Sequence, residues 1–247
     1  DKMFELMAQT FEDFEAAIPE KPKAVSKHGG FVYRFEERGI YQAIIQKLAR
    51  AQSATRAARV LHDHGYVQEQ AVLHRVIDET NEDILFLVYA VTNDTITELH
   101  ERYLKAFWQE EFDDHGDPLS SEQKRDMVPR QRIRAYIAQI EGVALDRSRG
   151  IELSRTISKA YSGFVHGASP HIMDMYAGDP PHFHYKGMLG TPRMTEFKDD
   201  LWNYMYRTFL SHIFVGKAIG AEEHVRILTE YKTLFERRAG KEYGDSA

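Results

Sequence analysis

Val67-Gln-Glu-Gln-Ala-Val-Leu-His-Arg-Val-Ile-Asp-Glu-Thr-Asn-Glu-Asp-Ile-Leu-Phe-Leu-Val-Tyr-Ala-Val-Thr-Asn93 decides the fold class of this chain. At about 3.6 residues per turn, Leu73, Val76, Ile77, Thr80, Ile84, Leu87 and Val91 share one arc, and Arg75, Glu79, Glu82 and Phe86 align on the reverse. Past Glu82 the pattern is apolar nearly all round, which predicts a central helix. Its most apolar run, Ile84–Val91, is far too short to cross a bilayer, so no membrane role is expected. Glu79 and Glu82 then stand at the edge of the buried region, where a carboxylate needs a partner, and Arg75 can pair with Glu79 one turn away.

Working outward, the segment Ile40–His64 reads as a long helix with Gly65 as its stop. Phe4, Met7, Phe11, Phe14 and Ile18 form an amphipathic first helix over 1–18, ended by Pro19 and Pro22. Its aromatic stripe docks either on the protein's own core or on a dimer or protein partner. Val25–Arg38 contains Gly29-Gly30 and the alternating Phe31-Val32-Tyr33-Arg34-Phe35, and is either extended or a loop. Toward the C-terminus, a helix is expected over Thr95–Phe112. Ser120 and Gln123 have capping-box spacing for another, interrupted by Pro129 and continuing to Val143. A second central helix is expected over Arg149–His166, followed by an irregular stretch, residues 167–192, too long for a passive turn: a folded excursion or a lid. Thr191-Pro192 opens an aromatic-rich helix to Ile219, Gly220 stops it, and a last helix covers Ala221–Ala239. With no repeat or interdomain linker, the chain reads as one all-α domain over 1–247, a helical bundle of about seven or eight helices.

The formal charge of −6 argues against a wholesale nucleic-acid binder, although a local basic stripe can still hold a phosphate. No DNA-binding motif is readable. The absence of cysteine excludes disulfides, thiolate metal sites and cysteine nucleophiles. Asp1–Glu5 does not read as the start of a signal peptide, and a cytoplasmic protein is expected.

The strongest candidate site lies on Arg155–His171. Arg155, Lys159, Ser162 and His166 fall in one narrow arc, opposite a core stripe of Leu153, Ile157, Ala160 and Phe164. In a catalytic version Arg155 and Lys159 hold phosphate, His166 acts as general acid or base, and Glu79 orients the site if the two helix faces meet. That set suits metal-independent phosphodiester cleavage. The other reading is a solvated helix face whose terminal histidine complements the helix dipole. Gly163, beside Ser162, leaves room for a ligand or another backbone.

The pairing of Arg75-Val-Ile-Asp-Glu79 with the later Tyr161-Ser162-Gly163-Phe164-Val165-His166-Gly167 resembles a group of bacterial helical proteins of unknown function. That group is related in appearance to the HEPN superfamily, which includes defence-associated RNases and toxin components as well as inactive binding versions. The resemblance covers mainly residues 73–169 and makes Arg75, Glu79, Ser162 and His166 the matching positions, with Tyr161 and Glu82 beside them as binding candidates. It implies an all-helical fold, a homodimer and a role with RNA or nucleotides in a defence or toxin–antitoxin setting. Active members carry Arg-x4–6-His. Here that spacing occurs as Arg56–His62, Arg59–His64 and Arg207–His212, at the frequency chance supplies, and none overlaps Ser162–His166.

Two alternatives remain. One is a non-enzymatic dimeric interaction or scaffold protein using the first helix or the 167–192 excursion. The other is a histidine-based metal protein, drawing on His62-Asp63-His64 and His182-Phe183-His184 with Asp179 and His171, although His-x-His without further ligands at fixed spacing reads more simply as loop histidines. No ligand set is therefore assigned to a metal and no cofactor is expected. The di-iron Glu-x-x-His pattern, the phosphate-binding glycine loops, Gly-x-Ser-x-Gly and His-Glu-x-x-His are all absent. Trp202, Tyr204 and Tyr206 could stack bases, but at helical spacing they read first as core and boundary residues.

Overall fold

The structure, a computed structural model, describes residues 2–27, 29–113, 117–141 and 159–240. It is all-α: among the described residues, strands are confined to two two-stranded hairpins. In chain order the elements are α1 (Lys2–Ala17), β1 (Lys23–Lys27), β2 (Gly30–Arg34), α2 (Ile40–Asp63), α3 (Val67–Thr92), α4 (Glu98–Trp108) and a 3₁₀ turn at Pro118–Ser120. Then follow α5 (Arg130–Glu141), α6 (159–165), α7 (Ser169–Met173), β3 (Tyr176–Ala177), β4 (His182–Phe183), α8 (Arg193–Ala218) and α9 (Glu222–Ala239). Among the described residues, no helix is long and apolar enough to cross a membrane.

Helices α2, α3 and α8 pack on one another to form the centre; α1 lies across α2 and α8, α9 on α8, and α5 on α3. Of the expected second central helix over Arg149–His166, residues 149–158 lie outside the described residues. Its described part, α6, is exposed or half-buried, and among the described residues the place beside α3 belongs to α2 and α8, which bury Ala43, Ile44, Leu48 and Phe209, Val215. The first helix docks on the protein's own core, with Met3, Phe4, Met7 and Phe14 buried, and Ile18 buried just beyond it. Val25–Arg38 contains an antiparallel hairpin in which Val25 faces Val32.

Two helix boundaries differ from expectation. The fourth helix begins at Glu98 because Thr97 caps it: His100 Nδ1 accepts the Thr97 N–H at 3.1 Å, taking the part a glutamate usually plays. It ends at Trp108, where Gln109 turns extended and carries Glu110 to the hairpin, against Arg34 Nε (2.5 Å) and Lys27 Nζ (3.1 Å). The expected helix from Ser120 does not form. Ser120 closes the 3₁₀ turn, residues 121–129 run without helix, and α5 starts at Arg130. The Gln123 side chain donates instead to the Glu110 carbonyl at 2.7 Å, and Pro129, which restricts Val128 to extended backbone, sets where α5 can begin.

The 167–192 stretch is a folded excursion docked on the α2–α3 turn. Gly65 there has φ +79°, and its carbonyl accepts the Met188 N–H at 2.8 Å. A Cβ on Gly65 would stand 2.7 Å from Met188 N and 2.8 Å from Leu189 N. Gly65→Ala is therefore expected to destabilise the protein by about 2–3 kcal/mol, from left-handed strain plus loss of this contact. The measurement is the urea midpoint, together with proteolysis of the excursion. An unchanged midpoint and cleavage pattern would show that the turn does not anchor it.

A candidate cleft between α6 and α8

Along α3 a line of polar side chains runs into the core. Gln70, His74, Asp78 and Asn81, spaced four, four and three, are all buried. Gln70 donates through Nε2 to the Phe197 carbonyl (2.7 Å) and to His74 Nε2 (3.1 Å). His74 stacks on Tyr204 with centroids 4.4 Å apart, and burial, helped by His62, pushes its imidazole down to a pKa of about 3. It is accordingly neutral at physiological pH. Asp78 pairs with Arg207, and Asn81 joins Ser211 and Thr208.

This ladder backs the lining of a cleft of about 740 Å³ between α6 and α8, since Gln70 bonds Phe197, His74 packs on Tyr161 and Tyr204, and Asp78 pairs with Arg207. Tyr161 and Phe164 form one wall; Phe197, Tyr204 and Tyr206 of α8 line the other side. On α8, Glu196, Asp200, Asn203 and Arg207 recur at steps of four, three and four, so one polar arc follows the cleft. The Tyr161 hydroxyl donates to Asp200 Oδ2 at 2.7 Å. Burial raises the Asp200 carboxyl above the usual carboxylate range, although the Tyr161 hydrogen bond pulls it back, while Asp199 and Glu196 push it further up. Both guanidiniums are already neutralised: Arg193 binds Asp174 (2.5 Å) and Glu196 (2.7 Å), and Arg207 binds Asp78. Stacking faces, one carboxyl and the exposed Asn203 amide therefore suit a planar, hydrogen-bonding ring better than a bare phosphate.

Of the residues singled out from the sequence, Tyr161 lines this cleft, as do Tyr204 and Tyr206, which the spacing placed first in the core and its boundary. Arg155 lies outside the described residues, as do Leu153 and Ile157 of the opposite stripe. Lys159 and His166 are exposed, and Ser162 accepts the His166 backbone N–H at 3.1 Å through its carbonyl. The side of α6 expected to face the core, with Ala160 exposed and Phe164 half-buried, borders the cleft; Lys159, Ser162 and His166 do not. The space beside Gly163 is filled by the His171 ring, which would lie 2.0 Å from an added Cβ; that ring packs on Phe164 with centroids 4.5 Å apart.

The Arg75–Glu82 face looks to α5 instead. Arg75 Nε meets Glu79 Oε1 at 3.0 Å, Glu82 meets Arg134 Nε at 2.7 Å, and the Glu79 carbonyl accepts from Arg130 at 3.0 Å. Among the described residues, no hydrogen bond or ion pair joins Arg75, Glu79 or Glu82 to Lys159, Ser162 or His166. Burial raises the Glu82 carboxyl, and the Arg134 hydrogen bond opposes the shift. Phe86, assigned by spacing to the same reverse face, is fully buried and stacks on His100 at 4.1 Å.

The histidine pairs separate into ordinary roles. His62 meets Gln70, His64 meets the Val60 carbonyl, and Asp63 pairs with Arg59. His182 and His184 do lie on one side, with rings 4.3 Å apart. Among the described residues no three His, Asp or Glu side chains are grouped to hold a metal ion. His212, of the Arg207–His212 spacing, is fully buried between the Thr208 carbonyl and Gln52, and burial pushes it down to a pKa of about 4.

The sequence reading missed Asp200, Asn203 and the α3 ladder. Their signal was present as polar residues recurring on the same arcs as the apolar ones, a pattern that marks a buried polar line. Compared with models of protein families, with curated proteins and with solved structures, the chain has no match.

Proposed function

We propose that this protein binds RNA or a related nucleotide as a HEPN-like helical protein, with one base inserted in the α6–α8 cleft. The observation that carries the reading is the pair of aromatic sides, Tyr161 and Phe164 on α6 and Phe197 and Tyr204 on α8, with Asp200 and Asn203 beside them on α8. Stacking accepts any base, and the Asp200 carboxyl and Asn203 amide address a base edge. The reading is of binding rather than cleavage, because Lys159 and His166 stand on the exposed side of α6 and Glu79 is engaged by Arg75.

A stacked base contributes about 1–3 kcal/mol, so Phe164→Ala is expected to weaken binding of a labelled single-stranded RNA roughly 5- to 150-fold by fluorescence anisotropy. Asn203→Ala, on an exposed residue, is expected to change the preference among the four homopolymers with less loss of affinity. Absence of binding by the wild-type protein, or equal binding by Phe164→Ala, would remove the cleft from consideration.

A second reading, a dimeric interaction protein, is favoured by the excursion. Ile172, Met173, Tyr176, Phe183, Tyr185 and Leu189 are all exposed there. Sedimentation equilibrium on the wild-type protein and Tyr185→Ser separates the readings: a dimer dissociated by that change favours the interface.

A further inference from the structure

On the α4 side of the molecule, two clefts share Arg38, Trp108 and Gln109. The smaller, of about 550 Å³, is lined by Arg38, Arg102, Lys105 and Lys124, with Asp126 as its one carboxylate. The chain as a whole has a formal charge of −6, so this concentration of cations runs against the average. Arg102 is held by Asp126 at 2.5 Å. Arg38, Lys105 and Lys124 make no ion pair among the described residues.

At the junction of the clefts the indole N–H of Trp108 is buried without a hydrogen-bond partner, as is the Gln46 amide nitrogen in the larger one. A buried donor left unpaired costs about 1–3 kcal/mol, so an acceptor atom arriving there removes a penalty already present in the fold. The strap 121–126 is tied to α4, with Gln109 donating to the Lys124 carbonyl (3.4 Å) and Arg125 to the Gln109 carbonyl (3.0 Å). Lys124 and Lys105 thus belong to opposite sides of a groove whose backbone is held in place.

We propose that this groove binds an oligophosphate anion, with Arg38, Lys105 and Lys124 supplying the charge and the Trp108 indole N–H donating to one oxygen. A single carboxylate ligand would leave most of these cations unmatched; a run of phosphates engages several at once. Such a run occurs in a nucleic-acid backbone and in free polyphosphate. The proposal stands independently of the α6–α8 cleft, since an inorganic polyphosphate has no base to stack.

The test uses Trp202→Phe, in which Trp108 is the remaining tryptophan, titrated with sodium tripolyphosphate and separately with a uridine 12-mer, and followed by fluorescence and by calorimetry. Saturable binding is expected, with affinity falling steeply as salt rises. Replacing Lys105 and Lys124 together by glutamate is expected to weaken it at least about 10-fold and to lower the salt slope by roughly 1.5. The same pair replaced by glutamine keeps the test intact should glutamate disturb folding, and replacement by arginine is expected to retain binding. Binding of tripolyphosphate identifies free polyphosphate as sufficient, and binding of the 12-mer alone identifies the phosphodiester chain. No saturable heat or quench with either anion, or the same affinity in the glutamine pair as in the parent, would overturn the proposal.

Discussion

Asp83→Ala is expected to destabilise the protein by about 3 kcal/mol, the low end of the range for breaking a buried ion pair. The Asp83 side chain is 1% exposed and is shared by Lys47, at 2.7 Å, and by the Arg130 guanidinium, whose Nη2 lies at 3.2 Å. It ties α2, α3 and α5 together at one point. Removing the carboxylate leaves two cations facing each other across an apolar setting that includes Tyr103 and Phe107. The estimate stays at the low end because Lys47 and Arg130 keep 20% and 30% of their side-chain exposure and can turn partly to water. Urea unfolding at neutral pH should show a lower midpoint with an unchanged slope. Lys47→Met should cost less, since Arg130 still satisfies Asp83. A loss below about 1 kcal/mol for Asp83→Ala would mean that the three helices do not depend on this junction.

Deleting residues 1–18 is expected to abolish cooperative folding altogether. The segment inserts Met3, Phe4 and Met7 against Phe209, Ile213 and Leu228, and Phe14 and Ile18 into the main core. Truncating one such side chain to alanine typically costs about 2–5 kcal/mol, and domains of this kind have only about 5–15 kcal/mol in total. The truncated chain should lose its sharp thermal transition and expose the α8–α9 surface to hydrophobic dyes. A folded truncated protein with an altered oligomeric state would instead make the first helix an interface between chains.

Much of the architecture was legible because its signals are local. The stripe Phe4, Met7, Phe14 and Ile18 describes a helix with one buried side. Gly65, Gly220 and Thr191-Pro192 mark ends at which the backbone must turn left-handed or lose an N–H. The failures were local signals outweighed by other forces. Ser120 and Gln123 offer a capping box, yet the Gln123 side chain is taken by the Glu110 carbonyl and α5 begins only after Pro129. Thr95 begins no helix because Thr97 and His100 cap the next turn more completely.

The site was less legible. Tyr161 could be named from its motif, whereas Asp200, which holds its hydroxyl, is 39 residues away on another helix. Of the basic stripe Arg155, Lys159, Ser162 and His166, Arg155 lies outside the described residues, as do Leu153 and Ile157 of the opposite face. Spacing alone does not say which face a cleft will adjoin, and the cleft adjoins the one that carries Tyr161 and Phe164.

The sequence by itself determined that this is a helical protein, where most helices begin and end, and which arcs are apolar, because those depend on neighbours within a few residues. Tertiary structure alone decided that Glu82 meets Arg134, that Asp78 meets Arg207 across 129 positions, and that His171 fills the gap beside Gly163. An unpaired carboxylate announces only that it needs a cation. Which cation it receives depends on how whole helices pack, and that packing is driven by non-directional apolar burial that carries no address for any single pair.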